Sequence, residues 1–175
     1  MSTSSTIAST GIVGRNSVDF VQQAFAALNK GDTITVLRNS ADEERINAAG
    51  VVTLIEPQQE FGWFKPERLH NLQQQIAVIS FTSGTEGKPK AIAIPGDNLH
   101  NTTQRLCQIS EVDQSIREYV GVPLYYSFGF GRIRVVSEVG GHCYIPENGF
   151  DLMEFVQLLK QGEVNALSVV PSLCR

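Results

Sequence analysis

The sequence predicts an α/β fold, a layered and largely parallel sheet flanked by helices. Three observations carry this. Strand and helix signals alternate along the chain, the strand segments are short aliphatic runs, and a glycine or capping residue marks most joins. At 175 residues, with 42% hydrophobic and 18% charged side chains, the chain can bury a substantial core as one domain.

Residues 1–15 are rich in Ser and Thr and read as a flexible tail, without the basic start and apolar middle of a secretory signal. Asn16 or Ser17 then caps a helix over 18–29, where Val18, Val21, Phe25 and Leu28 recur at helical spacing and Gly31 follows. Residues 33–37 read as a strand, 41–49 as a short helix closed by Gly50, and 51–55 as a second strand. The stretch 57–72 holds Pro57, Gly62 and Pro66 around Phe61, Trp63 and Phe64. It reads as a loop with some helix over 67–72, and as a boundary between an amino-terminal β-α part (16–72) and the rest (73–175). Trp63 and its two phenylalanines read as core or interface.

The near-continuous apolar run 76–81 predicts a buried strand, and 91–94 a second apolar stretch. Asp97 or Asn98 caps a helix to about Ile109, which carries His100 as a surface or packing residue and Cys107 as buried packing. A strand over 119–124, a helix over 130–139 ended by Gly140-Gly141, and a strand over 142–145 follow. Asp151 caps a helix to Gln161, and 166–170 is the last strand.

Composition excludes several function classes. With 14 basic against 18 acidic side chains the net charge is -4, and the longest basic cluster is Lys88-Pro89-Lys90, too short for a polyanion track. No nucleic-acid partner is expected. No window approaches the ~18 apolar residues of a membrane span. Cys107, Cys143 and Cys174, with His70, His100 and His142, are scattered and show neither disulfide nor zinc spacing. The expectation is a cytoplasmic protein with no resident metal. Glu43 and Glu44 read as a solvated helix face.

The informative segment runs from Ser80 to Lys90: Ser80-Phe81-Thr82-Ser83-Gly84-Thr85-Glu86-Gly87-Lys88-Pro89-Lys90. Glycines let backbone N–H groups approach a phosphate, hydroxyls add donors, and lysine adds charge. The spacing fits neither the P-loop of nucleotide triphosphatases nor a dinucleotide fingerprint. Taken as composition alone, the same residues would serve a solvated hairpin turn.

The string resembles the phosphate-loop signature of the adenylate-forming superfamily, which holds acyl-CoA synthetases, peptide-synthetase adenylation domains and luciferases. The family pattern is close to Tyr-Thr-Ser-Gly-Thr-Thr-Gly-x-Pro-Lys-Gly. Thr82, Ser83, Gly84, Thr85, Gly87, Pro89 and Lys90 match in register, while Phe81, Glu86 and Ala91 depart from it. Downstream, Val122-Pro123-Leu124-Tyr125-Tyr126-Ser127-Phe128-Gly129 is similar to the family's Pro-Leu-Phe-His-x-x-Gly segment, with Tyr126 where relatives place a histidine beside the acyl pocket. Asn98 matches the asparagine of a His-x-Asn element whose histidine position holds Gly96.

The resemblance implies that 16–175 is an incomplete core, part of the large domain of an adenylate-forming enzyme. The adenine and ribose motifs, the metal ligand and the catalytic lysine would then lie beyond Arg175. It implies ATP with Mg2+ as cofactors, a small carboxylic acid as substrate, and a thiol such as CoA as acceptor. Thr82, Ser83, Gly84, Thr85 and Gly87 would wrap the β- and γ-phosphates, Glu86 would point away, and Lys90 would add charge or brace the loop. Lys88 falls at a variable position. Tyr126 and Gly129 would border the substrate pocket. The rival expectation is a non-catalytic homologue that binds or self-associates, as a homodimer covering sheet surface left open.

Overall fold

A computed structural model of the chain describes residues 7–70, 72, 76–83 and 89–170. Two sheets share one core. The first has five strands in the order β3-β1-β2-β5-β6: β1 (Ser9–Val13), β2 (Ile34–Leu37), β3 (Val51–Ile55), β5 (Ile76–Ser83) and β6 (Pro89–Pro95). All pair in parallel except β6, which returns antiparallel along β5. The second has the order β4-β8-β7-β9: β4 (Gly62–Phe64), β7 (Arg117–Val120), β8 (His142–Ile145) and β9 (Ala166–Ser168), with β4 antiparallel at its edge. The helices are α1 (Val18–Lys30), α2 (Glu43–Ala48), α3 (Gly96–Ser110), α4 (Ser127–Val139) and α5 (Leu152–Lys160). The predicted class, mostly parallel sheet flanked by helices, is the one observed.

Local chemistry explains most boundaries. Ser17 Oγ accepts from the Phe20 N–H at 3.2 Å, and Gly31 closes α1 in the left-handed region at φ 92. Asp151 caps α5 by accepting from the Met153 and Glu154 N–H groups. Among the described residues no helix is long and apolar enough to cross a membrane.

Four expectations are corrected. Residues 9–13 are not part of a flexible tail; they form β1, buried at every position between β2 and β3. Ser9, Thr10 and Gly11 hide it from a hydrophobicity reading. Ser9 Oγ donates to the Ala49 carbonyl at 2.8 Å, and a Cβ on Gly11 would meet Val51 and Leu37 side chains at 2.8 and 2.9 Å. Residues 67–70 are not helical. The Asn29 side chain donates to the Arg68 carbonyl at 3.1 Å and accepts from the His70 N–H at 2.8 Å, so this backbone bonds to α1 rather than to itself. Neither Asp97 nor Asn98 caps α3: Pro95 holds that position, and Asp97 lies in the first turn, where its charge suits the helix dipole. Finally, the strand expected over 119–124 ends at Val120, and 121–126 turn into α4, which starts at Ser127 rather than Phe130.

The sheets also ignore residue 72 as a boundary. β4 joins the carboxy-terminal sheet, and β5 with β6 joins the amino-terminal one.

The helix α4 sits at the centre, buried on nearly every face from Gly129 to Ser137. Phe130 meets Phe20 and Phe25 of α1 edge-to-face, with ring centroids 6.4 and 5.8 Å apart. α3 runs antiparallel to α4, as Gln104–Glu138 at 2.9 Å and Ser110–Arg132 at 3.5 Å show. Trp63 packs edge-on against Tyr144, which stacks on Tyr119 in a cluster under α5; both tyrosine hydroxyls donate to Glu154. Burial, with the neighbouring Glu154 carboxylate, pushes the Tyr144 hydroxyl up to about 12.

Phe20 is fully buried. Phe20→Ala should cost about 3–5 kcal/mol of stability, read as a fall in the urea unfolding midpoint.

Candidate functional site

The parallel strands β1, β2 and β5 end together: Val13 pairs with Leu37, and the Thr35–Ile79 pairing puts Leu37 level with Phe81. Ligands of open α/β sheets collect at this carboxyl edge. Thr82 lies just beyond it, exposed, and its cross-strand partner on β6 is Lys90, also exposed. Ser83 pairs with Pro89, so the connection leaves and returns along one antiparallel ladder. The predicted phosphate-binding residues Gly84, Thr85, Glu86 and Gly87 lie outside the described residues, as does Lys88.

A cleft of about 740 Å3 opens at this edge. One wall is the β2–β5 surface, with Ile34, Val36, Val78 and Ile79; the other is α4. Thr82 and Tyr126 both line it, so two predicted segments more than forty residues apart meet in one cavity. Tyr126 is 62% exposed, at the position that starts α4, and its ring lies 4.7 Å from that of Tyr125. Burial raises the Tyr125 hydroxyl above its ordinary pKa. Tyr125 itself lies over the end of β1, where a Cβ on Gly14 would meet it at 2.8 Å.

Gly129, the other predicted pocket residue, does not line the cleft. It is buried against the turn before α4, where a Cβ would overlap the Pro123 carbonyl and lie 2.8 Å from its carbon. Its role is to seat the helix that carries Tyr126. Lys90 stands beside Thr82 without lining the cavity.

The cleft also contains cations that sequence reading did not single out. Arg45 lies 5.2 Å from the Phe81 ring and pairs with Asp42 at 2.9 Å. Arg134, on α4, lines the cavity and lies 5.7 Å from the Phe130 ring. The one available signal was a pair of arginines, Arg132 and Arg134, inside the otherwise apolar stretch from Phe128 to Val136. Arg132 is accounted for: it grips the fully buried Glu118 through Nε at 3.0 Å and Nη2 at 2.7 Å, and Ser168 donates to the same carboxylate.

Of the remaining candidates, Glu44 is exposed on the cleft wall; Glu43 is exposed outside it, His100 is half-buried, and Cys107 Sγ faces the Val135 carbonyl at 3.9 Å. Trp63 lies outside the cleft. Among the described residues no group of three His, Cys, Asp or Glu could hold a metal ion.

The overlap at Gly129 predicts that Gly129→Ala costs about 1–3 kcal/mol, measured by urea unfolding. Arg132→Met leaves Glu118 buried and unpaired and should cost about 3–5 kcal/mol by the same measurement.

Comparison with known proteins adds the family. The AMP-binding enzyme family model matches residues 12–175. A probable 4-coumarate–CoA ligase 2 from Dictyostelium discoideum is 23% identical over 105 residues, 59% of this chain and 19% of that protein. The delta-poly-L-ornithine synthetase of Acinetobacter baumannii is 30% identical over 101 residues, 57% of this chain and 8% of that protein. The o-succinylbenzoate coenzyme A synthetase of Bacillus subtilis, solved with AMP, superposes with a TM-score of 0.72 at 15% identity, covering 95% of this chain and 49% of that one. ATP-bound MatB from Rhodopseudomonas palustris superposes with a TM-score of 0.71 at 18% identity, covering 95% of this chain and 40% of that one. The chain thus spans half or less of each of these relatives. It belongs to the AMP-binding enzyme family.

Proposed function

We propose that this member of the AMP-binding enzyme family is part of an ATP-dependent acid ligase. It activates a carboxylic acid as an acyl-adenylate, releases pyrophosphate, and then forms a thioester with a thiol such as CoA. The observation that carries this is the shared cleft: Thr82, at the root of the phosphate loop, and Tyr126, at the start of α4, line one cavity together with the apolar Ile34, Val36, Val78 and Phe130. That puts a place for phosphates next to a place for an acyl chain.

The chemistry asks for positioning. A carboxylate oxygen attacks the α-phosphorus, the bond to pyrophosphate breaks, and the acyl-adenylate remains; a thiol then displaces AMP from the acyl carbon and gives up its proton. Alignment of the two reactants and neutralisation of the departing phosphates supply most of the acceleration. On this reading Thr82, Ser83, Gly84, Thr85 and Gly87 hold the β- and γ-phosphates, Glu86 points away from them, and Lys90 adds charge beside Thr82. Mg2+ accompanies the nucleotide. Tyr126 borders the acid, and Gly129 keeps it there by letting α4 sit against Pro123.

Relatives support this through their own names: a CoA ligase for 4-coumarate, and the o-succinylbenzoate enzyme, also solved with ATP and a magnesium ion. The family match favours a ligase over a non-catalytic, self-associating module.

The test is nucleotide binding followed by carboxylate-dependent ATP–pyrophosphate exchange. A lost hydrogen bond to a charged group is worth about 1.5–3 kcal/mol, so Thr85→Ala and Lys90→Ala should each weaken pyrophosphate binding by about 10- to 100-fold. Unchanged affinity in both variants by calorimetry would remove the phosphate-loop assignment.

A further inference from the structure

The cleft contains a charge that the phosphate loop does not explain. Arg134 is 7% exposed, and its Nε and Nη1 are buried with no hydrogen-bond partner. Arginine keeps its proton at neutral pH and cannot escape burial by becoming neutral. Burial without a counter-ion pulls its pKa down to about 10, still well above neutrality. An isolated buried charge is unfavourable unless something pairs with it.

Three carboxylates, at the α2 cap and on β7 and α4, are held by other cations. Glu118 is held by Arg132 and Ser168, Glu138 by Arg68 and Gln104, and Asp42 by Arg45. Glu44, also on the cleft wall, is exposed. No ion pair to Arg134 is present among the described residues. The contrast with Arg132, two positions away and fully paired, shows that this helix can satisfy a guanidinium when the fold itself needs one.

The position is specific. α4 starts at the carboxyl edge of the first sheet, beside Thr82, and runs back toward the Ile76 end of β5. Its antiparallel pairing with α3 sets this direction, because α3 begins where β6 ends, opposite Ile76. Tyr126, Phe130 and Arg134 recur at four-residue steps along one face. At 1.5 Å per residue Arg134 lies about 12 Å along the helix from Tyr126. Its side chain leans back toward the helix start. The guanidinium lies 5.7 Å from the Phe130 ring, and a Cβ on Gly131 would lie 3.6 Å from Nη2, so it lines the cavity between Tyr126 and its own Cα, with Ile34, Val36 and Val78 among the walls.

We propose that Arg134 receives a second carboxylate of the acid substrate, so that this site selects a dicarboxylic acid. The inference rests on the reading of the cleft as the acyl site. The reacting carboxylate lies at the Thr82–Tyr126 end, and the second one meets the guanidinium in a charge-assisted pair. A short apolar chain or one ring between the two suits the walls.

The test uses this chain without nucleotide. Calorimetry compares adipate with monomethyl adipate, and terephthalate with monomethyl terephthalate; sodium pyrophosphate is titrated separately. Each dicarboxylate should bind at least 10-fold tighter than its half ester. Arg134→Met should erase that difference, leave pyrophosphate binding intact, and raise the melting temperature of the free protein, because an unpaired charge has gone. Arg134→Lys should keep part of the preference, which covers the case in which the Met variant does not fold. Equal or absent binding of both members of each pair by the wild type would overturn the proposal. So would a preference that survives Arg134→Met, or pyrophosphate binding that disappears with it, which would assign the guanidinium to the nucleotide. A dicarboxylate preference that depends on Arg134, in a chain whose pyrophosphate binding is absent or indifferent to Lys90, would retain this site and remove the ligase reading.

Discussion

The seam between α1 and α4 is the contact on which the rest depends. α1 covers the first sheet as the crossover between β1 and β2, and α4 is the crossover between β7 and β8 of the second. Phe130 sits edge-on to both Phe20 and Phe25, and the Asn16 side chain, just ahead of α1, accepts from the Leu124 N–H at 3.1 Å. These contacts lock a residue of the amino-terminal tenth of the chain to one more than a hundred positions later. Neither sheet could cover its inner face alone, and the shared core runs without a break from Ile12 to Ile145. The cleft lies between α4, which that seam holds in place, and the β2–β5 surface.

A helix buried on nearly every face should be apolar throughout. Between Phe128 and Val136 α4 departs from this at two arginines, and their fates differ. Arg132 reaches Glu118 and closes a network with Ser168 that ties β7, β9 and α4 together. Arg134 lines the cavity, where its Nε and Nη1 have no hydrogen-bond partner and no ion pair reaches it among the described residues. One charge serves the fold, and the other has a ligand as its natural complement. The same economy governs the glycines: Gly129 does not line the cleft, yet it lets α4 approach Pro123 closely beside Tyr126.

Local signals made most elements legible. The spacing of Val18, Val21, Phe25 and Leu28, the Ser17 cap and Gly31 define α1 without outside help, and Asp151 does the same for α5. The phosphate-loop string and the Pro-Leu-Tyr-Tyr segment were also readable, because a run of residue types in fixed register is a local property. What failed were elements defined by partners. β1 looks like a polar tail until β2 and β3 flank it, and 67–70 looks helical until Asn29 takes its backbone groups.

The sequence by itself determined the class of fold, the family and the two segments that frame the cleft. Those follow from periodicity, capping chemistry and motif register, all of which act over a few residues. Only the tertiary structure decided that Thr82 and Tyr126 face one cavity, that Gly129 is a packing residue rather than a lining one, and that Arg134 is buried without a counter-ion while Arg132 has one. Each of these depends on which distant chain segment arrives beside the residue. Pairing, burial and cavity shape are long-range quantities that no spacing of neighbours along the chain encodes.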